Sequence, residues 1–471
     1  MNSRNSGKTE TRVFVLLLTT ALLLSGCAVD RLKDLEVVHD LMQLDQEDAD
    51  TASTAVYPSS LLPAAVSGGG RQDAEDAAEI PSFAEKITEE EVESVPEVME
   101  IAGNKRSKEE IAAEDEAARQ ALGLDEYGIE SLLRQNEGLY YFSHLDTQQK
   151  RVYAEIYRII TARGEKIKVS TLTEEDVDRA FQYVMADHPE IYYADGYTLT
   201  RYTLDNELFK IGFTARYLYD DAEQSRRQAR LDDAIETALA GAPVTGDQYD
   251  TAKYVYDYVI SHTDYEIGVP DNQNICSVFL NGASVCQGYS KAAQILLNRL
   301  GVEATLITGT VSAGDREGER HAWNLVRVNG YDYFMDVTWG DSSFQQAASE
   351  ETLDQRINYD YLLDTTRDLI DTHAISNLVD VPSCTHMEDN YYVRDGAYFT
   401  GTDEAQLAEL FDRAYAEGRG YVSIKCADES AYAAMQQYMI TDRKLFDYLR
   451  DSGESASYSA SPRQHKLTFL L

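Results

Sequence analysis

Basic residues are scarce in this chain: 42 Lys and Arg stand against 82 Asp and Glu, a formal net charge of −40. The acidic residues are spread along the whole sequence. That excludes a nucleic-acid binder, whose affinity draws on cations that neutralise phosphates, and it excludes adhesion to anionic lipid headgroups. Cysteine is sparse too. The five cysteines, Cys27, Cys276, Cys286, Cys384 and Cys426, form no C-x-x-C pair, so no structural zinc site is expected. No EF-hand loop occurs, and calcium is not implied. Neither a metal nor a cofactor is expected. Long apolar runs are missing beyond the N-terminus, and there is no internal repeat.

The single apolar run, Val13 to Leu24, follows Arg4, Lys8 and Arg12 and is too short to span a bilayer comfortably. It has the form of a secretion signal. It closes on Leu24-Ser25-Gly26-Cys27, which resembles a bacterial lipoprotein box. The resemblance implies that residues 1–27 are a signal segment ending in a lipidated Cys27. It also implies an extracytoplasmic protein that touches the membrane only through that lipid anchor. Residues 28–122 form an acidic tract with few aromatics, Gly68-Gly69-Gly70 and runs such as Glu89-Glu90-Glu91. Such a tract buries too little apolar surface to offset its ordering entropy, so a disordered tether is expected, with short helix at Ser107 to Leu122.

The rest of the chain is long enough for a large core in two or three units. Residues 123–245 read as an α+β lead-in domain. A helix from Asp146 to Thr161 places Val152, Ile156, Ile159 and Ile160 on one side; a second runs from Thr173 to before Pro189; strands follow at Ile191 to Leu204 and Leu208 to Tyr219. Residues 246–388 read as the core, with a helix around Asp250 to Ser261 and a strand from Val302 to Val311. Residues 389–471 read as a small α/β module: a strand pair around Asp395-Gly396, a helix from Glu404 to Ala416, a strand at Tyr421 to Lys425, a helix from Ser430 to Leu449 and a closing strand from His465.

Chemistry concentrates in the core. Cys286 precedes an apolar run with helical spacing (Tyr289, Ala293, Leu296, Leu297, Leu300) that stops at Gly301. Ser284 and Gln287 have the S-x-x-Q spacing of a capping box, which puts Cys286 in a first helical turn, where backbone N–H groups favour a thiolate and can hold an oxyanion. Farther on, Ala322 to Val328 and Tyr331 to Val337 are strand-like runs joined by Asn329-Gly330, the signature of a type I′ hairpin. Pairing Val328 with Tyr331 sets Trp323 opposite Asp336 and His321 opposite Thr338. His321, Trp323 and Asp336 then share a face, with His321 and Asp336 as diagonal neighbours. A lone buried cysteine is ordinarily a small core residue. A cysteine at a helix start, followed by a histidine and an aspartate on one hairpin face, reads as nucleophile, base and orienter.

The segments Val285-Cys286-Gln287-Gly288-Tyr289-Ser290-Lys291-Ala292, His321-Ala322-Trp323-Asn324 and Met335-Asp336-Val337-Thr338-Trp339 resemble the core of the bacterial transglutaminase-like superfamily. That resemblance implies an α+β, papain-like core, with Cys286 as nucleophile, His321 as general base and acid, and Asp336 as orienter. Tyr265 is its candidate side-chain oxyanion donor, and Gln287, Trp323 and Trp339 are placed at the oxyanion or substrate groove. Asp187-His188-Pro189-Glu190 resembles a segment that precedes the core in secreted members; His188 reads as structural. With Cys27 lipidated and Cys286 chemical, three cysteines remain, Cys384 with Cys426 being the candidate disulfide and Cys276 a buried thiol. The expected activity is cleavage of amide bonds in proteins or peptides of the cell envelope, as a cysteine peptidase or amidase. Crosslinking by a protein-glutamine transglutaminase is the alternative, and a non-catalytic peptide-binding lipoprotein is the alternative of another class.

Overall fold

The computed structural model describes residues 108–204, 207–313, 316–341, 357–450 and 456–471, and the backbone of strand segments between 90 and 106. The expected signal segment, Cys27 and the tract up to residue 89 lie outside the described residues. The fold is α+β, as the sequence indicates. Among the described residues no helix is long and apolar enough to cross a membrane.

The first region comprises β1 (Glu90–Ser94), α1 (Lys108–Ala121), α2 (Glu126–Gln135), α3 (Thr147–Thr161), β2 (Ile167–Lys168), α4 (Glu174–Asp187), β3 (Ala194–Leu204) and β4 (Glu207–Tyr217). Its sheet has the order β1-β3-β4-β2. Helix α3 starts on a full capping box of Asp146 and Gln149 and buries Val152, Ile156, Ile159 and Ile160, the stripe its spacing indicates. Helix α4 stops at His188, just before Pro189. The His188 ring is buried between Glu190 (Nδ1 to Oε1, 2.8 Å) and Asn136 (Nε2 to Oδ1, 2.9 Å), a structural link between chain segments.

Two features depart from the sequence reading here. The tract expected to be a tether ends in α1, and α1 is docked. Arg119 reaches Glu155 at 2.7 Å and the Lys168 carbonyl at 2.6 Å, while Asp115 pairs with Lys210 at 2.5 Å. Charge pairs rather than an apolar stripe hold this helix, which is why a reading of buried apolar surface leaves it in the tether. The 20-residue helix α5 (Asp221–Ala240) was likewise not anticipated, because it buries only Leu231, Ile235 and Ala238.

The central region contains α6 (Gln248–His262), β5 (Asp264–Tyr265), β6 (Ala283–Ser284), α7 (Cys286–Arg299), β7 (Glu303–Ala313), β8 (Arg316–Val328), β9 (Tyr331–Met335), α8 (Val337–Gly340) and β10 (His373–Ile375). The sheet order is β9-β8-β7-β10. Helix α7 is buried from Gly288 to Leu297 and packs on β7 and β8. The β8–β9 register runs from Val328 with Tyr331 to Asn324 with Met335, and Asn329 and Gly330 have φ of 50° and 90°, the left-handed pair of a type I′ turn.

The last region holds β11 (Tyr398–Phe399), α9 (Glu404–Glu417), β12 (Tyr421–Cys426), α10 (Glu429–Gln436), β13 (Tyr458–Ser461) and β14 (Lys466–Leu470), with sheet order β11-β12-β14-β13. No strand pair forms at Asp395-Gly396. A helical turn, Tyr391–Arg394, ends there, with Gly396 at φ 64°. The helix expected over Ser430 to Leu449 is also broken: α10 passes into a π turn at Gln437–Thr441, and Arg443, at φ 58°, separates that from a short 3-10 turn at Lys444–Asp447. One cluster of buried apolar side chains runs through all three regions, from Ile156 and Phe181 through Tyr256 and Leu297 to Phe411 and Phe469. Cys276, Cys384 and Cys426 are buried free thiols, so the candidate disulfide between Cys384 and Cys426 is absent.

Candidate active site

Cys286 is the first residue of α7, as expected, but it is not placed there by a capping box. The N-cap is Val285, which makes no side-chain cap. Ser284 belongs to β6, and its hydroxyl meets Ser277 Oγ at 2.6 Å and donates to the Asn272 carbonyl at 3.1 Å. The S-x-x-Q spacing is coincidental because Ser284 is a strand residue paired with Tyr265, and its hydroxyl, although packed against the first turn of the helix, is spent on Ser277 and the Asn272 carbonyl. Gly288 explains how tightly the helix start is packed. A Cβ there would lie 2.0 Å from Ser284 Oγ and 2.9 Å from the Asn272 carbonyl oxygen. Cys286 itself is half-buried, unlike the other three described cysteines.

The helix is tied directly to the strand that carries the histidine. Ser290 Oγ donates to the Ala322 carbonyl at 2.9 Å, one residue beyond His321, and Asn324 Nδ2 donates to the Ser290 carbonyl at 3.0 Å. Both groups are buried, so the contact fixes the separation of α7 and β8. On its other side β8 pairs with β7, where His321 stands opposite Gly309. A Cβ on Gly309 would meet the Ala374 carbonyl oxygen at 2.2 Å and the Trp323 ring at 2.6 Å. The missing side chain lets β10 and the indole close in beneath His321.

Asp336 does not lie in the strand opposite Trp323. Strand β9 ends at Met335, and Asp336 caps α8, its Oδ1 accepting from Thr338 N at 2.9 Å and Trp339 N at 3.0 Å. The helical turn therefore replaces the expected last pairs of the hairpin. The outcome for the two side chains is the same: Asp336 Oδ2 accepts from His321 Nε2 at 2.7 Å. Burial opposes the imidazolium, but Asp336 and Cys286 outweigh it and push His321 up to about 10. Burial equally opposes the Asp336 carboxylate, yet His321 and His373 hold it well below the usual carboxylate range. Cys286 thus lies close enough to His321 to help hold its proton, and Asp336 holds the far side of the ring.

The sequence reading missed His373. From the edge strand β10 its Nε2 lies 2.9 Å from the same Asp336 Oδ2. Its ring packs on Trp323 (centroids 5.0 Å), Trp339 (4.9 Å) and Tyr361 (5.8 Å). Burial is the largest influence on it and keeps it below its ordinary value, against the pull of Asp336. His321, Asp336 and His373 are the group of ligand-type side chains among the described residues, with one ligand atom from each within 4.8 Å of the others. Those atoms are already engaged with one another in hydrogen bonds.

The groove residues separate. Trp323 is fully buried and lies under His321 with its ring nearly parallel (6.0 Å, 22°), so it forms the floor of the site and offers no face to a substrate. Trp339 is also buried and meets His321 edge-on at 6.2 Å. Gln287 is half-buried in the first turn of α7. Tyr265 pairs with Ser284 across β5 and β6, which sets it two residues from Cys286, with its ring 6.4 Å from that of Tyr289.

A family model described as Transglutaminase-like superfamily matches residues 238–337. The chain therefore carries a transglutaminase-like domain, and the match holds Cys286, His321 and Asp336 but ends before His373. Solved structures similar to parts of the chain include a TGase at 16% identity, covering 34% of this chain and 47% of that one with a TM-score of 0.22. A candidate cysteine protease from Cytophaga hutchinsonii is 14% identical over 40% of this chain and 73% of that one (TM-score 0.23). A candidate protease from Parabacteroides distasonis is 8% identical over 30% and 39% (TM-score 0.19). The chain spans about half the length of the first of these. No curated protein matches the chain.

Proposed function

We propose that this protein is a thiol enzyme that cleaves amide bonds in proteins or peptides, with Cys286 as nucleophile, His321 as base and acid, and Asp336 as orienter. The observation that carries the reading is the 2.7 Å hydrogen bond from His321 Nε2 to a saturated, buried Asp336 carboxylate, with Cys286 beside the same imidazole. Cys286 Sγ gives its proton to His321 and attacks the substrate carbonyl carbon. The negative oxygen that forms is met by N–H groups at the start of α7 and by the hydroxyl of Tyr265. The C–N bond breaks as His321 returns the proton to the leaving amine, leaving a thioester on Cys286. Water then attacks the thioester, giving its proton to His321, and the thiol is restored. Asp336 stays ionised throughout and keeps the Nε2 proton of His321 in place.

The sequence Leu24-Ser25-Gly26-Cys27 supports a location for this chemistry outside the cytoplasm, on a lipid anchor at Cys27. The substrate is then a protein or peptide of the cell envelope. Treatment of the full-length protein and its Cys286→Ala variant with a thiol-directed activity probe, in the presence and absence of an amine donor, tests the assignment. Labelling of wild type no faster than that of an ordinary cysteine, unchanged in the variant, would sink it. Incorporation of the amine in place of hydrolysis would convert the reading to a transglutaminase.

A further inference from the structure

One buried histidine beyond the three expected residues points into the same carboxylate. Asp336 accepts four hydrogen bonds: two from backbone N–H groups at Oδ1, and two at Oδ2, from His321 at 2.7 Å and His373 at 2.9 Å. His373 comes from β10, which pairs with the outer edge of β7, His373 opposite Val311. Its other nitrogen, Nδ1, lies 2.8 Å from Thr372 Oγ1. Because Asp336 is a carboxylate with acceptors only, the Nε2 atoms of both rings must carry the protons in these bonds. With that proton on Nε2, a neutral His373 leaves Nδ1 as an acceptor for the Thr372 hydroxyl, whose other acceptor is the Leu369 carbonyl at 3.4 Å.

We propose that His373 is a positioning residue of the Cys286–His321–Asp336 machinery, holding Asp336 Oδ2 where the His321 Nε2–H meets it, so that His321 Nδ1 faces Cys286. This rests on the thiol-enzyme reading given above. Without the second donor, Oδ2 keeps only the bond from His321, and the backbone donors hold Oδ1 alone, so rotation of the carboxyl group about its Cβ–Cγ bond is less restrained. The titratable groups that face His373 are His321 from β8, Asp336 from the cap of α8 and Tyr361 from the turn before β10. The other walls are Trp323 and Trp339, which do not titrate. The ring therefore acts on the site through Asp336.

The test follows alkylation of Cys286 by iodoacetamide across pH in the full-length protein, read from the mass of the Cys286 peptide. It compares wild type with His373→Ala and with His373→Gln, which keeps an N–H donor. In wild type Cys286 reacts faster than an ordinary cysteine at pH 6; failure of that comparison overturns the thiol-enzyme reading itself. Given a reactive wild type, His373→Ala is expected to slow alkylation at pH 6 about tenfold and to move its midpoint up by about one pH unit, the scale of one hydrogen bond to a charged group. His373→Gln is expected to stay within about threefold of wild type. A midpoint in His373→Ala that does not move, whatever happens to the melting temperature, reduces His373 to a structural residue and overturns the proposal. A midpoint that moves down overturns it as well, because His373 would then be drawing the carboxylate away from His321. If His373→Ala does not fold, His373→Gln and the wild-type tautomer decide. Long-range proton–nitrogen spectra of histidine-labelled wild type should find His373 neutral with its proton on Nε2, and a proton on Nδ1 would refute the arrangement.

Discussion

Two buried ionic clusters in this protein look alike by burial and differ in almost everything else. In the first, Asp336 is surrounded by donors: two imidazoles and two backbone N–H groups. In the second, Asp360, Asp364 and Asp368 meet Lys425 and Lys466 from the C-terminal region. Lys466 pairs with Asp360, which also accepts from the Tyr392 hydroxyl, and Lys425 lies 2.8 Å from Asp368. Asp364 has the poorest company. A single backbone donor, Thr365 N at 2.9 Å, reaches its side chain, and burial pushes it up to about 8 despite Lys425. Cationic partners together with hydrogen-bond donors, set against burial, decide whether a carboxylate stays charged here. Function is decided by a further difference. The first cluster opens onto a half-buried thiol at a helix start, whereas the second joins β12 and β14 to the turns beyond α8, where the neighbouring thiols of Cys384 and Cys426 are buried. A buried charged network is therefore weak evidence of a site until something reactive stands at its edge.

Mutations on the two sides should separate chemistry from docking. Cys286→Ala should lower amide hydrolysis on the order of 10⁴-fold or more, and leave the melting temperature within about 2 °C of wild type. Asp360→Asn should do the reverse: a loss of about 3 kcal/mol in denaturant unfolding, with the activity of the folded fraction unchanged. Activity lost in step with stability in Asp360→Asn would erase the distinction.

Asp336→Ala should strike both properties, costing about 3–5 kcal/mol because a buried imidazolium loses its counter-charge. The pH dependence of that cost has a definite sign. The folded His321 is raised from its ordinary 6.5 to about 10, so the stabilisation it draws from Asp336 is complete below pH 6.5 and is lost as the pH climbs through about 10. The stability gap between wild type and Asp336→Ala, measured by urea unfolding at several pH values, should narrow over that range. A gap that is constant from pH 6 to 10 would mean the pair is not ionic.

Asp364 should behave oppositely to a paired carboxylate. The folded state favours its protonated form, so its contribution is present in full below pH 3.8 and is lost as the pH rises through about 8. Asp364→Asn should therefore be more stable than wild type at pH 9, on the order of 1 kcal/mol, and nearly equal to it at pH 4. The smallest expected effect is in the hairpin that precedes Asp336. Gly330→Ala puts a side chain at φ 90° and should cost about 1 kcal/mol. Because the turn is remote from Cys286 in the sheet, alkylation of Cys286 by iodoacetamide should keep its wild-type pH profile.

The hairpin and the cysteine helix were legible because their signals are local. Asn329-Gly330 fixes the turn, the turn fixes the β8–β9 register, and the register delivers His321 near Asp336 even though β9 stops two residues early. The start of α7 was legible from its apolar spacing, while the capping argument for it failed. Ser284 has the right spacing to Gln287 but is held in a strand by a partner some twenty residues away, at Tyr265. His373 was out of reach for a related reason. It sits on a three-residue strand with no period of its own, and it joins the site only because β10 adds to β7, more than sixty residues earlier. Helix α1 is legible in sequence as a short helix but not as part of the folded body, because its docking depends on Arg119 finding Glu155 and Asp115 finding Lys210.

By itself the sequence determined the α+β class, the helix that begins at Cys286, the type I′ hairpin and the order of thiol, imidazole and carboxylate, because each is written in periodicities and turn residues a few positions apart. The tertiary structure alone decided that Asp336 is a helix cap shared by two histidines, that Trp323 is floor and not groove wall, and that an acidic helix belongs to the folded body. Those outcomes depend on contacts between distant segments, and no local pattern encodes which buried donor will find a given carboxylate.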